Sequence, residues 1–156
     1  MQFTPRNHRR RHRNPDIEAV LAVPAFRHGD PRRLAELARH TDRVRLAPGR
    51  TLARAGGTAR ELVVIVSGRA AVLREGAVTA ALQPGDQIGG DEVIRRECHT
   101  ATIVTTSEVE VVVVNGPAVV WAHQEGLVSR FEAPLALTGV PAARRPGVDP
   151  PARLAS

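Results

Sequence analysis

The chain has 156 residues, 42% hydrophobic and 3% aromatic, so we expect one domain with a core of aliphatic side chains. The formal net charge of +6 is the difference between 22 arginines, with no lysine, and 16 acidic residues. Its excess lies at the two ends of the chain, which makes it weak evidence for a nucleic-acid-binding domain. The lone Cys98 excludes an internal disulfide and a cysteine metal cluster. No apolar stretch matches a membrane span or a secretory signal, so we expect a cytoplasmic protein.

Residues 1–15 are expected to form a disordered basic arm, because they contain almost no apolar side chains. Such an arm can bind nucleic acid or another polyanion without reading sequence, since it carries no interleaved aromatic residues for base stacking. A basic tail that merely keeps the protein dissolved explains the pattern nearly as well. The candidate polyanion-binding residues are Arg6, Arg9, Arg10, Arg11 and Arg13.

Two short helices are predicted after the arm. The first opens at Pro15 and ends before Pro24, because a proline is favoured in a first turn and disfavours helix in the residue before it. The second follows Asp30, an N-cap residue, with Pro31 at its first helical position. Its apolar residues keep helical spacing until about His40.

From Arg43 onward the apolar pattern changes to that of short strands. Gly and Pro separate these runs at intervals of about 8–12 residues, which indicates a sandwich or barrel. A glycine-rich loop and a brief polar helix between Ile88 and Glu97 interrupt the strands. After the strand that starts at Arg43, the predicted strands are 51–53, 62–66, 71–73, 78–82, 100–105 and 109–114, with a hairpin turn at Glu75-Gly76.

A closing helix is predicted from Pro117 to Glu132, with Asn115 as its N-cap. Repeated prolines and glycines then preclude regular structure, so residues 134–156 are expected to be a disordered tail. One face of the predicted helix would carry Val119, Val120, His123, Leu127 and Phe131.

The order and spacing of these elements resemble the cyclic nucleotide-binding domain. Ala19–Phe26 looks like the family's N-terminal helices, and the glycines at 49, 56, 68 and 85 stand where the family turns its strands. The resemblance covers residues 16–133. It implies a mainly β fold, a double-stranded β-helix (jelly-roll-like β-roll) of about eight strands with flanking N-terminal helices and a closing C-terminal helix.

The family's phosphate-binding cassette matches the stretch from Ile88 to Ile103. The resemblance places a ribose-binding glutamate at position 90 and a phosphate-binding arginine at position 99, where this chain has Gly90 and His99. Losing a buried charge-assisted hydrogen bond costs about 2–5 kcal/mol. The resemblance therefore implies a degenerate site, with a cyclic nucleotide as the possible ligand and no other cofactor. Its residues are Gly89, Gly90, Asp91, Glu92, His99, Thr100 and Ala101.

Substitutes for the two missing groups are conceivable on the loop and the small helix. Asp91 or Glu92 could bind the ribose if the loop carries one extra residue, and Arg95 or Arg96 could swing toward the phosphate. Against this, acidic residues in a first turn usually complement the helix dipole, and an Arg-Arg pair on a short helix usually faces solvent.

No catalytic residue and no metal site is predicted. The serines lack a nucleophile-elbow context, and no histidine has a partner at metal-ligand spacing. Cys98 and His99 are adjacent on an extended segment, so their side chains should point to opposite sides. The run Gly89–Val93 is one letter from a diguanylate cyclase signature, but the α/β pattern of such enzymes is absent around it.

Three functions remain open on the sequence. The first is a stand-alone interaction module with weak or lost nucleotide binding, which contacts another protein or itself through the closing helix, with Trp121 as the residue to test. The second is a genuine cyclic AMP or cyclic GMP sensor that signals through that helix. The third is a small polyanion-binding accessory protein. A DNA-binding regulator is disfavoured, because the segment after the helix is too short and too rich in proline for a helix-turn-helix domain.

Overall fold

The computed structural model describes residues 15–128, 131 and 137. Within them, the helices are α1 (Pro15–Leu21), α2 (Pro31–Ala38), α3 (Gly90–Arg95) and α4 (Gly116–Gln124), with a 3-10 helix at Pro24–Phe26. The strands are β1 (Thr41–Leu46), β2 (Thr51–Ala53), β3 (Glu61–Ser67), β4 (Ala70–Arg74), β5 (Ala77–Leu82), β6 (Gln87–Ile88), β7 (Thr102–Thr105) and β8 (Val109–Asn115).

The strands form two antiparallel sheets, ordered β1-β8-β3-β6 and β2-β7-β4-β5. Consecutive strands fall in different sheets except for β4 and β5, so the chain crosses between the sheets at nearly every turn. β8 is central to the first sheet, where Val112 lies opposite Arg43 of β1 and Val64 of β3. This arrangement confirms the predicted β-roll with helices at both ends.

The β4–β5 connection is the hairpin that the sequence predicts. Glu75 and Gly76 both have positive φ, 51° and 77°, as a two-residue type I′ turn requires. Gly68 at the β3–β4 crossing also has a positive φ of 87°, and a Cβ there would lie 2.9 Å from the Cα of Val109. Only glycine therefore fits where β3 leaves the first sheet beside β8.

The described residues contain two apolar clusters. The helix-side core lies between the first sheet and the helices, and the roll core lies between the two sheets. Alternate residues of β8 serve both, because Val112 and Val114 belong to the helix-side core while Val109 and Val111 belong to the roll core. Fully burying one such side chain contributes about 1.5–3 kcal/mol.

The N-terminal helices agree with the sequence prediction, with one addition. Asp30 caps α2, and its carboxylate accepts the backbone N–H of Arg32 at 2.8 Å and that of Arg33 at 3.4 Å. Helix α2 ends at Ala38, two residues earlier than expected. The 3-10 helix was not predicted, and it places the ring of Phe26, which is fully buried, in the helix-side core.

The closing helix begins as predicted but its predicted length is wrong. The side chain of Asn115 accepts the N–H of Ala118 at 2.9 Å, so the N-cap is confirmed. α4 nevertheless ends at Gln124 rather than at residue 132. Gly126 has a φ of 72°, and the N–H of Leu127 returns to the carbonyl of Ala122, which together form a Schellman motif. Leu127 and Phe131 are buried, but they lie beyond the helix instead of on its face.

Residues 1–14 of the predicted arm lie outside the described residues, as does the predicted tail apart from Leu137. The arm and tail boundaries therefore stay predictions, although residue 15 already belongs to α1. In the described part of the chain, no helix is long and apolar enough to cross a membrane.

Candidate functional site

The candidate site is built on the turn that joins β6 to α3. Gly89 has a φ of 89°, and a Cβ on it would lie 2.5 Å from the carbonyl oxygen of Glu61 on β3. Glycine is thus required at position 89 both for the backbone angle and for the close approach of this turn to β3. α3 has six residues, so few peptide dipoles align along it to favour an anion at its N-terminus.

Gly90, where the resemblance places the ribose-binding glutamate, is covered by an aromatic ring. A Cβ on Gly90 would lie 2.7 Å from Cδ2 and 2.8 Å from Cβ of Phe131, and closer still to its Cγ. Phe131 is 1% exposed, and its ring meets that of Phe26 edge-on with centroids 5.3 Å apart. The space next to Gly90 is therefore part of the packed helix-side core, and a larger residue there collides with Phe131.

Asp91 holds Phe131 in this place from the other side of the loop. Its Oδ1 accepts the backbone N–H of Phe131 at 2.9 Å, and its Oδ2 lies 3.8 Å from a guanidinium nitrogen of Arg95 one helical turn later. Both carboxylate oxygens of Asp91 thus contact groups of the protein itself. The role of Asp91 seen here is thus to tie the segment after α4 to the first turn of α3.

The two arginines considered as substitutes lie on α3 and at its end. Arg95 pairs with Asp91 along the helix surface, and its side chain is 55% exposed. Arg96 has a φ of 58° and forms the exposed C-cap of α3. Neither contact puts a guanidinium beside His99, so this conformation favours the surface role that the sequence analysis preferred.

His99, at the position of the family's arginine, is half-buried against the glycine turn. Its Cε1 would be 3.4 Å from a Cβ on Gly89, and its backbone bonds to residues 56 and 57 at 2.8 and 2.9 Å. Burial lowers the pKa of His99 below its ordinary value, and the nearby carboxylate of Glu92 opposes that shift only in part. At neutral pH the ring is therefore uncharged, and it supplies no positive charge for a phosphate.

The remaining cassette residues point to different surroundings. Ala101 is 3% exposed and belongs to the roll core. Thr100 is exposed and precedes β7, which begins two residues later than predicted. The turn between β6 and α3 thus brings residues 89–92 close to His99. Thr100 lies instead on the surface, and Ala101 lies in the roll core.

A cavity of about 660 Å³ lies beside Thr100, at the hairpin end of the second sheet. Arg74 lines it from the end of β4, is half-buried, and donates a hydrogen bond to the carbonyl of Leu137. The side chain of Leu137 packs against the roll core. Sequence analysis missed Arg74, although an arginine that ends the apolar run of β4 just before the hairpin turn was a visible signal.

Trp121, the predicted interaction residue, is half-buried on α4. It packs against the helix-side core and also lines a groove of about 290 Å³ between α2 and α4. The groove is shared by Glu36 and His40 of the α2 side and by Pro117 of α4. Trp121 therefore both packs on the domain and contributes to its surface.

Other predicted features can be placed briefly. Cys98 is exposed and forms an isolated bridge with Thr58. The Nδ1 of His123 contacts the carbonyl oxygen of Val128 at 3.1 Å. Among the residues the structure describes, no group of acids, histidines and cysteines could hold a metal ion. The five arginines of the arm lie outside that part of the chain.

Comparison with known proteins gives a family and a set of similar folds. The family model "Cyclic nucleotide-binding domain" matches residues 43–125, and it describes a regulatory ligand-binding domain that is generally not an enzyme. A cyclic nucleotide-binding-like protein from Brucella abortus is 27% identical, with a TM-score of 0.61, and the match covers 67% of this chain and 93% of that chain. No curated protein matches.

Two larger proteins share the fold at lower identity. The C-linker/CNBHD of zELK channels is 22% identical with a TM-score of 0.62, and the match covers 69% of this chain and 56% of that one. The regulatory subunit of a cAMP-independent protein kinase A from Trypanosoma brucei is 20% identical with a TM-score of 0.61, with 72% and 43% covered. The present chain thus spans about half the length of these two. From the family match and the β-roll geometry together, the chain belongs to the cyclic nucleotide-binding domain family.

Proposed function

We propose that this chain is a cyclic nucleotide-binding-like regulatory and interaction module in which nucleotide binding is weak or lost. The observation that carries the proposal is the ring of Phe131 against Gly90. A family cassette needs room and a carboxylate at position 90, and here that position has neither. The uncharged ring of His99 removes the second group, the cation for the phosphate.

The energetic consequence follows from these two losses. Losing one buried charge-assisted hydrogen bond costs about 2–5 kcal/mol, which is about 30- to 4,000-fold in affinity. The absence of a glutamate at position 90 weakens binding further. A ribose hydroxyl that is transferred from water into the site without a hydrogen-bond partner loses a hydrogen bond. Cyclic AMP and cyclic GMP are therefore expected to bind no more tightly than about 10 µM, if saturably at all.

Isothermal titration calorimetry of the full chain with cyclic AMP and cyclic GMP tests the proposal. A matched variant carries Gly90→Glu, His99→Arg and Phe131→Gly, which restores both groups and removes the whole side chain that lies against position 90. We expect weak or no binding by the natural chain and measurable binding by the triple variant. Saturable binding of either nucleotide by the natural chain below about 10 µM would establish the sensor function instead.

The output of such a module is proposed to pass through the α4 surface. Trp121 and Pro117 line the groove beside α2, and aromatic side chains in partly apolar grooves are common anchors of protein interfaces. Self-association is the simplest form of this proposal to measure. Sedimentation analysis should show a dimer that dissociates in Trp121→Ala but persists in Arg54→Ala, an exposed control position on the roll.

A strictly monomeric natural chain would exclude self-association and leave a different protein as the partner. In that case, a protein retained from the source lysate by the natural chain and by Arg54→Ala, but not by Trp121→Ala, would support the same surface. Equal retention by all three would contradict its role. Circular dichroism must show that the substituted chain keeps its fold, because Trp121 also packs against the helix-side core.

A further inference from the structure

The cavity beside Arg74 shares Thr100 with the phosphate-binding cassette but takes its charge from elsewhere in the fold. Its cation comes from β4 in the second sheet, whereas the cassette's phosphate-binding position is residue 99 on the segment before β7. It is also large enough for a small ligand, since its volume of about 660 Å³ falls in the ordinary range of ligand sites. None of the roles derived so far uses this cavity.

The bonding of Arg74 is unusual for a half-buried guanidinium. Among the described residues, Arg74 donates a hydrogen bond to the backbone carbonyl of Leu137, which is a neutral oxygen. A guanidinium has five N–H donors in a planar fork suited to an anionic group with two or more oxygens. Because charge-assisted hydrogen bonds are roughly twice as strong as neutral ones, an anionic oxygen can replace that carbonyl.

Hydroxyl groups and apolar walls complete the cavity. Thr100 is exposed and Thr102 half-buried beside Arg74, and the Oγ1 of Thr102 accepts the N–H of Ala55 at 3.1 Å, which leaves its own hydrogen free to donate. Leu73 and Ala55 supply the apolar lining. A guanidinium and two hydroxyls around one space match a phosphate, whose three terminal oxygens can each accept a hydrogen bond.

From this arrangement we propose that Arg74, with Thr100 and Thr102, binds the phosphate group of a small phosphate monoester, whose organic part rests against Leu73 and Ala55. The phosphate takes the place that the carbonyl of Leu137 holds in the present conformation. Glu75 lines the same cavity and opposes an anion, but it is exposed on the hairpin turn, where solvent screens its charge.

Nuclear magnetic resonance titration of the ¹⁵N-labelled full chain tests this site, with inorganic phosphate and phenyl phosphate as the probes and sodium chloride at matched ionic strength as the control. We expect saturable shifts of the Gly76, Thr100 and Thr102 amides, with a dissociation constant of roughly 1 mM or lower for phenyl phosphate. Phenyl phosphate should bind more tightly than inorganic phosphate, because only the ester reaches the apolar lining.

Single substitutions assign the binding to the cavity. Arg74→Gln should weaken phenyl phosphate binding at least about tenfold, Glu75→Gln should strengthen it about two- to threefold, and the exposed control Arg69→Gln should leave it unchanged. If Arg74→Gln fails to fold, Thr100→Val at an exposed position carries the test and should weaken binding. Equal affinity in the Arg74 and Arg69 variants, shifts that sodium chloride reproduces, or no saturation would overturn the proposal.

Discussion

The contact between Gly90 and Phe131 makes a prediction in which the cost of one substitution depends on the other. Gly90→Ala adds a Cβ that lies 2.7 Å from Cδ2 of Phe131, so the core must shift to accept it. Such overpacking costs about 1–3 kcal/mol. Phe131→Ala alone removes a ring that is 1% exposed, which should cost about 3–5 kcal/mol.

Combining the two substitutions removes the contacts with the ring and leaves the contact with the Cβ of residue 131, at 2.8 Å. In the Phe131→Ala background, Gly90→Ala should be close to neutral, because the remaining contact can relax into the space that the ring leaves, and because alanine is the better helix former and Gly90 opens α3. The double variant is therefore expected to be about 1–3 kcal/mol more stable than the sum of the single effects. Urea denaturation followed by circular dichroism, on all four chains, measures this coupling.

Two results would refute the reasoning. Strict additivity of the two substitutions would show that Phe131 does not cover Gly90 in solution. A stabilising effect of Gly90→Ala in the natural background would show that the space beside position 90 is open, and the argument against a glutamate there would fail with it. The denaturant slopes must agree among the four chains for the comparison to hold.

Three further predictions concern caps and protonation. Asn115→Ala removes the acceptor for the N–H of Ala118 and should lower the free energy of unfolding by about 1 kcal/mol in urea denaturation, whereas Asn115→Ser should retain most of it. Gly126→Ala forces a side chain into a φ of 72° and should cost about 1 kcal/mol; an unchanged unfolding midpoint would show that α4 does not end there. Because the pKa of His99 is lowered in the folded chain, the unfolded chain binds the proton more readily, so stability should fall as the pH drops below about 6.5. His99→Gln should make the unfolding midpoint less sensitive to pH between 7 and the lowered pKa, and an identical pH profile would contradict the burial of that ring.

Local signals in the sequence predicted much of the fold. Asp30 and Asn115 are both confirmed as N-caps, and the Glu75-Gly76 pair is confirmed as a hairpin turn, because each depends on atoms within a few residues. The length of α4 was overestimated for a related reason. Apolar spacing continued past Gly126, and the prediction gave that spacing more weight than the glycine that ends the helix.

The candidate site was predictable only in part. The glycine turn and the substitutions at 90 and 99 can be read from sequence, because the cassette is contiguous. The ring of Phe131 over Gly90 joins residues 41 positions apart, and the bond from Arg74 to Leu137 spans a separation of 63. No local pattern encodes such contacts, since each joins residues that are far apart in the sequence.

The valine run of β8 leaves strand alignment to the residues at its two ends. Within residues 111–114, a slip by one position would exchange valine for valine between the two cores, so the burial of these four side chains alone does not fix the alignment. Glu110 breaks this ambiguity through ion pairs with Arg43 and Arg45 of β1, and the cap at Asn115 does so at the other end. The acidic and amide positions that bracket the four valines therefore keep the pairing in place.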